Sequence, residues 1–169
     1  MRITEEYRAA NKRLHEINKK YGTSGAKWAK KVASIVRTTD SQTILDYGCG
    51  KGLLAAALPE LHIREYDPAI SGKDREPEPA DLIVCTDVLE HIEPDCLDSV
   101  LAHICDLTLK YAFLNVSTRP AVKFLEDGRN AHLIIQQADW WRVRLERYFT
   151  LVEWSPVEAN AVNTLARPR

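Results

Sequence analysis

Thr43-Ile44-Leu45-Asp46-Tyr47-Gly48-Cys49-Gly50-Lys51-Gly52 is the stretch whose reading decides the fold. It opens as a short apolar run, the pattern of a strand buried inside a parallel sheet. Three glycines then alternate at positions 48, 50 and 52. Glycine accepts positive φ, and without a Cβ it lets a ligand approach the backbone closely. Leu53-Leu54-Ala55-Ala56-Ala57-Leu58 follows and reads as helix. Strand, glycine turn and helix together predict the opening of a doubly wound α/β sheet that holds a nucleotide at the turn. The dinucleotide pattern G-x-G-x-x-G/A is not met, because counting from Gly48 its last position falls on Leu53. Instead an acidic residue, Asp46, stands two before the first glycine. For the glycines alone, a tight βα turn with no ligand is the alternative.

The chain around this stretch, at 169 residues with 45% hydrophobic and 28% charged residues, is expected to form one domain with a sizeable core. No apolar run approaches the ~18 residues of a membrane span. Met1-Arg2-Ile3-Thr4-Glu5-Glu6 is not the start of a signal peptide. Cys49, Cys85, Cys96 and Cys105 form no C-x-x-C pair, which predicts reduced thiols, a cytoplasmic setting and no metal site. Charge is uneven: residues 1–37 carry +7 and the remainder −8. A basic N-terminal arm can meet an anionic partner, or it can simply be a solvated helix face.

Thr4 is placed to cap a helix whose inner stripe is Tyr7, Ala10, Leu14, Ile17 and Tyr21. After the turn Tyr21-Gly22-Thr23-Ser24-Gly25, Ser24 reads as the cap of a second helix with Trp28, Ala29, Val32, Ile35 and Val36 inward. Pro59 ends the helix after the glycine turn, and Leu61–Tyr66 reads as the second strand. Asp67 is expected at its exposed tip, nineteen residues beyond Gly48 and close to the ~20-residue spacing at which a carboxylate takes the two ribose hydroxyls of a nucleotide. An Asp-Pro turn is the plainer reading. Asp81-Leu82-Ile83-Val84-Cys85-Thr86 is a buried strand, followed by Asp87-Val88-Leu89-Glu90-His91-Ile92-Glu93-Pro94. A helix with Leu97, Val100, Leu101, Ile104 and Leu107 inward leads to a strand over 111–116. Asp139 is placed to cap a last helix through Trp140, Trp141, Leu145 and Tyr148. Strands at 149–154 and 161–166 then form a hairpin across Ser155 to Asn160.

Asp46-x-Gly48-x-Gly50-x-Gly52 resembles the first motif of class I S-adenosylmethionine-dependent methyltransferases. The Asp87–His91 run resembles the motif after strand four in the branch acting on small molecules. Tyr21–Gly25, Asp46–Gly52, Tyr66-Asp67-Pro68 and Asp127–His132 also resemble runs in short methyltransferase-like proteins of bacteria and phages. The resemblance implies a Rossmann-like sheet with a reversed last strand and a bound S-adenosylmethionine, with S-adenosylhomocysteine as product. The cofactor residues it implies are Asp46, Gly48, Gly50, Tyr66, Asp67, Pro68, Thr86, Asp87 and Val88. Residues 1–40 then resemble an N-terminal helical lid over a binding core of residues 41–169, with the 21–25 turn folding over the methionine end. A plain helix–helix connection is the alternative for that turn.

The chain departs from the family between Asp67 and Asp81. Only the thirteen residues 68–80 are available there, where such proteins place a helix, a strand and another helix. One crossover alone needs about a dozen residues. Thirteen extended residues reach roughly 43 Å, enough to pass back over the first strand. The third strand of the family is therefore expected to be missing or vestigial, with the second strand at the sheet edge.

The implied reaction is in-line methyl transfer to an oxygen or nitrogen atom, most simply on a small molecule or sugar. His91 and His132 are the candidate bases, because an unperturbed imidazole titrates near neutrality. Both also fit structural roles in their loops, and Trp140 and Trp141 fit the core better than an aromatic cage. The run at 86–89 contains no proline, unlike the clamp of enzymes that methylate amino groups of nucleic-acid bases. RNA through the basic arm stays as the alternative acceptor, without a recognisable RNA-binding module. A cofactor-binding protein without catalysis is the rival from another class. No membrane partner is expected, and nothing in the pattern sets an oligomeric state.

Overall fold

The computed structural model describes residues 1–157 and 160–169. Six strands form one sheet: β1 (Ile44–Tyr47), β2 (Arg64–Tyr66), β3 (Ala80–Thr86), β4 (Thr108–Ser117), β5 (Phe149–Val157) and β6 (Ala161–Pro168). Their order is β2-β1-β3-β4-β6-β5. The pairs β1–β2, β1–β3 and β3–β4 are parallel, whereas β6 runs antiparallel to both β4 and β5, so the last strand is reversed. This is the arrangement that the resemblance implies, without the third strand, as the short 68–80 connection predicts. Residues 68–79 carry turns but neither helix nor strand, and β2 is the edge.

The described residues form five α-helices: α1 (Glu5–Ile17), α2 (Ala29–Thr39), α3 (Leu53–Ala57), α4 (Leu97–Leu107) and α5 (Ala138–Leu145). Parallel strands buried on both faces need cover on both. On one face, Leu97, Val100, Leu101, Ile104 and Leu107 of α4 and Trp141 and Leu145 of α5 pack on Leu45, Ile83, Cys85, Ala112 and Leu114. On the other, Val32, Ile35 and Leu54 pack on Ile44, Leu82, Val84 and Phe113. Trp141 is fully buried in the first of these layers, with Trp140 edge-on to it, so both belong to the core.

Several local expectations are corrected. Thr4 does cap α1, its hydroxyl accepting from the Tyr7 amide at 3.2 Å, but Ile17 ends the helix exposed. Ser24 does not cap α2. Residues Ser24–Trp28 form a 3-10 turn and α2 begins at Ala29, while the Ser24 side chain helps lower the Asp87 carboxyl instead. The second strand is shorter than Leu61–Tyr66: Pro59–Leu61 is a 3-10 turn and His62 has positive φ, so pairing starts at Arg64. Gln137, not Asp139, precedes α5. The last hairpin is tighter than Ser155–Asn160, since β5 runs to Val157, which pairs with Ala161. Glu158 and Ala159 of that connection lie outside the described residues.

Candidate active site

The chain leaves β1, returns as β2 on one side, then crosses to β3 on the other. That switch opens a crevice at the carboxyl ends of β1 and β3, the place where open α/β sheets hold ligands. A cavity of about 420 Å³ occupies it, within the usual ~300–1,000 Å³ of small-molecule sites. Tyr47, Gly48 and Gly50 form its floor, with Tyr66, Asp67 and Pro68 from the end of β2 and Asp87 and Val88 from the end of β3. His91, Ser117, Arg119, Lys123 and His132 form its far end, and residues of the N-terminal lid, among them Tyr7, His15 and Tyr21–Ser24, complete the wall. Asp46 and Thr86 stand behind this wall rather than in it; both are buried.

Every amide of the glycine turn is used inside the protein. Those of Gly48 and Cys49 donate to the Tyr66 carbonyl at 2.7 and 3.1 Å, that of Lys51 to Gly22 O at 2.9 Å, and that of Gly52 to Cys49 O at 2.9 Å. The Gly50 amide donates to Asp67 Oδ2 at 3.1 Å. A phosphate-binding turn needs free amides aimed at the ligand, and this turn offers none. Its surroundings are acidic instead. Burial, reinforced by Glu65 and Asp67, pushes the Asp46 carboxyl up to about 7. Lys73 partly answers this charge, lying 3.1 Å from Glu65 and donating to Gly50 O at 3.3 Å. Buried carboxylates around a turn without free amides suit a ligand that brings positive charge and no phosphate.

Glycine is required at Gly48 and Gly50 by φ of +78° and +54° and by close neighbours. A Cβ on Gly48 would meet Val88, 2.4 Å away; one on Gly50 would meet the Gly22 carbonyl oxygen at 2.7 Å. The lid turn therefore rests directly on the glycine turn. Asp67 is buried, not an exposed tip, because the segment after it folds back: its amide donates to Lys73 O at 2.9 Å and its Oδ1 accepts from Ala69 N at 2.9 Å.

The Asp87 region fastens the lid. Asp87, at φ +55°, accepts from Trp28 Nε1 at 3.3 Å and pairs with Lys27 at 2.8 Å. Burial alone would raise its carboxyl; hydrogen bonds from Lys27, Ser24 and Trp28 hold it below the ordinary value.

At the far end, the rings of His91 and His132 meet edge-on with centroids 4.7 Å apart. His91 Nδ1 lies 2.7 Å from Ala131 O, and His132 Nδ1 lies 2.6 Å from Arg119 O. A carbonyl only accepts, so each Nδ1 carries the proton and each Nε2 keeps its lone pair. Burial, then the neighbouring His132, pushes His91 down to about 4, and burial lowers His132 as well, so both rings are neutral near pH 7. The Asn130 side chain fixes this loop, accepting from the Ala121 and His132 amides at 2.9 Å each. Tyr7 Oη donates to the His91 carbonyl at 2.6 Å.

Tyr7, Arg119, Lys123 and Glu90 contribute here without having been singled out from the sequence. Tyr7 was legible as a helix stripe, whereas Arg119 and Lys123 sit in an irregular loop with no pattern. Glu90 has no exposed surface; its Oε1 accepts from the Ser117 amide at 3.0 Å, tying the loops after β3 and β4 together.

A sequence profile described as a methyltransferase domain matches residues 15–156. No curated protein matches the sequence. Among solved structures, the fold is similar to the 1,6-didemethyltoxoflavin-N1-methyltransferase of Burkholderia thailandensis with bound 1,6-didemethyltoxoflavin and S-adenosylhomocysteine. That match has a TM-score of 0.71 at 17% identity, covering 96% of this chain and 89% of the other. The N-methyltransferase NodS of Bradyrhizobium japonicum, in complex with S-adenosylhomocysteine, is similar at TM-score 0.60 and 14% identity, covering 96% and 98%. The magnesium protoporphyrin IX methyltransferase of Synechocystis, also with S-adenosylhomocysteine, is similar at TM-score 0.57 and 13% identity, covering 84% and 82%.

Proposed function

Because the chain belongs to the methyltransferase-domain family, we propose that it methylates an oxygen or nitrogen atom of a small molecule or sugar held between the lid and the ends of β3 and β4. It is an S-adenosylmethionine-dependent methyltransferase, with S-adenosylhomocysteine as product. The observation that carries the choice of acceptor is the roofed cavity of about 420 Å³, with two neutral imidazoles at the end away from the glycine turn. A second support is the basic arm itself. Arg2, Arg13, Lys27 and Lys31 pair with Glu76, Glu126, Asp87 and Glu153 of the core, so much of its charge is answered within the chain. The three similar structures named above are described as a 1,6-didemethyltoxoflavin-N1-methyltransferase, an N-methyltransferase and a magnesium protoporphyrin IX methyltransferase.

The residues fit the cofactor, since the turn has no amide for a phosphate and is surrounded by Asp46, Glu65 and Asp67. When bound, S-adenosylmethionine supplies an electrophilic methyl whose leaving group is a neutral thioether, so no residue need protonate it. In this reading Gly48, Gly50, Tyr66, Asp67, Pro68, Asp87 and Val88 contact it, and Asp67 takes the ribose hydroxyls with the lone pairs its two amide contacts leave free. Asp46 and Thr86 act from behind, by charge and by shaping the strand ends. His91 and His132 face the acceptor, and the Nε2 of either can take its proton. Holding nucleophile and methyl in line supplies several kcal/mol of the rate gain. Residues 1–169 work as one domain, with 1–40 as lid and 41–169 as core; Leu125 from the loop after β4 packs among Tyr7, Leu14 and Tyr21.

Among the described residues no helix is long and apolar enough to cross a membrane. Four free thiols, three of them buried, fit the reducing cytoplasm. The test is to incubate the protein with methyl-labelled S-adenosylmethionine and either small-molecule or RNA fractions of a cell extract. Label entering the small-molecule fraction supports the reading; label confined to RNA refutes it.

A further inference from the structure

We propose that Glu90, His91 and His132 form a binding site for one divalent transition-metal ion, Zn²⁺ being the best fit, at the far end of the cavity. The expectation of no metal rested on the cysteines, and this cluster uses none of them. One donor atom from each of the three residues lies within 4.8 Å of the other two. Donors at ~2.1 Å around a tetrahedral zinc stand roughly 3.4 Å apart, so the widest pair must close by about 1.4 Å. His132, in a loop and half-exposed, is the residue able to move.

Three features point to a cation there. First, Glu90 is completely buried and its Oε2 has no hydrogen-bond partner. A buried carboxylate oxygen without a partner is costly unless a cation or a proton meets it. Second, both imidazoles have the arrangement typical of metal-ligating histidines, with Nδ1–H held by a backbone carbonyl and Nε2 left as the donor. Third, the donor set is two imidazoles and one carboxylate, with the remaining position on the cavity side. That is the composition of an open zinc site rather than a closed structural one. Calcium and magnesium prefer all-oxygen shells.

The consequence for the acceptor rests on the function proposed above. An acceptor hydroxyl taking the open position loses its proton to solvent more easily. Its oxygen then forms the bond to the methyl carbon as the sulfonium–methyl bond breaks, the bonding electrons leaving with the neutral thioether. With the ion bound the two histidines act through it; in the metal-free protein either Nε2 stays free to serve as the base.

The experiment needs no acceptor, so it stands or falls apart from that reading. The protein is stripped with a chelator and titrated with Co²⁺ by visible absorption, then with Zn²⁺ in competition. One equivalent of Co²⁺ with d–d bands of a low-coordinate site, displaced by Zn²⁺, is expected. His132→Ala should weaken binding about tenfold or more, and Glu90→Gln likewise; circular dichroism establishes that each is folded. Because Glu90 is buried and its variant risks misfolding, His132→Ala decides. No stoichiometric uptake by the parent, or uptake equally tight in His132→Ala, overturns the site. A chain that binds Co²⁺ yet methylates only RNA keeps the site and loses the acceptor.

Discussion

The Gly50 amide donates to Asp67 Oδ2 at 3.1 Å, so the carboxylate at the end of β2 holds the glycine turn of β1 in place. Its other oxygen accepts from Ala69 N at 2.9 Å. Asp67→Ala therefore removes an organiser of the site as well as a ribose contact. S-adenosylhomocysteine affinity should fall about ten- to a hundredfold, equivalent to roughly 1.4–2.8 kcal/mol, by calorimetry. Asp67→Asn, which keeps one acceptor, should lose less. A 2′-deoxyadenosyl analogue separates the two roles: if Asp67→Ala weakens it as much as the parent ligand, Asp67 does not read that hydroxyl.

Gly50→Ala tests the seat of the lid. The added Cβ would lie 2.7 Å from Gly22 O and 2.9 Å from Gly22 Cα, at a φ of +54°. Backbone must shift, and left-handed strain adds to the cost, together about 1–3 kcal/mol in thermal unfolding. Exchange of the Lys51 amide, bonded to Gly22 O, should quicken and S-adenosylhomocysteine affinity should drop. Gly128→Ala is the control, with φ of +85° but open space for its Cβ. If both variants bind the ligand equally well, the contact with Gly22 is not what the site needs.

The sheet was legible because its signals are local and redundant. An apolar run breaking into alternate glycines fixes β1, and the thirteen residues from Pro68 to Ala80 are too few for a second crossover, whatever their sequence. The site was legible only in part. Asp67 reads as an exposed tip until Lys73 O and the Ala69 amide are seen to fold over it, a contact no periodicity encodes. Ser24 has the composition of a helix cap, but its hydroxyl serves Asp87, more than sixty residues away. Glu90 lies in the motif-like run 87–91, but nothing in that run shows it to be completely buried, with its Oε1 accepting from the Ser117 amide at the end of β4.

Asp46 makes stability pH-dependent. Its folded pKa is raised from 3.8 to about 7 by burial, then by Glu65 and Asp67. The folded state thus favours the protonated acid. Stability from this group is fully present below pH ~4 and is lost as pH rises through ~7, by up to about 4 kcal/mol at 1.36 kcal/mol per unit. Asp46→Asn keeps the shape without the charge. Denaturant unfolding should show it close to the parent near pH 4 and more stable than the parent, by up to about 4 kcal/mol, at pH 8. An equal difference at both values would mean that Asp46 is ionised throughout.

Asp87 and Lys27 form an ion pair of 2.8 Å whose two partners should respond differently. Lys27 is about half exposed, so its charge is screened and Lys27→Ala should cost under about 1 kcal/mol. Asp87 is the shared acceptor for Trp28 Nε1, at 3.3 Å, and for the Ser24 hydroxyl, so Asp87→Ala strands two donors at once. The 3-10 turn Ser24–Trp28 loses its anchor to the end of β3 and with it the position of the lid turn over the glycines. Hydrogen exchange across residues 25–29 should accelerate roughly tenfold or more in Asp87→Ala and by less than about threefold in Lys27→Ala. Dissociation of S-adenosylhomocysteine in stopped flow should follow the same order, since a loosened lid releases ligand faster. Asp87→Asn should fall between them, because the amide still offers one acceptor and asparagine tolerates the φ of +55°. Were Lys27→Ala to match Asp87→Ala in both measurements, the lid would be held by charge alone, and the hydrogen bonds from Trp28 and Ser24 would be incidental.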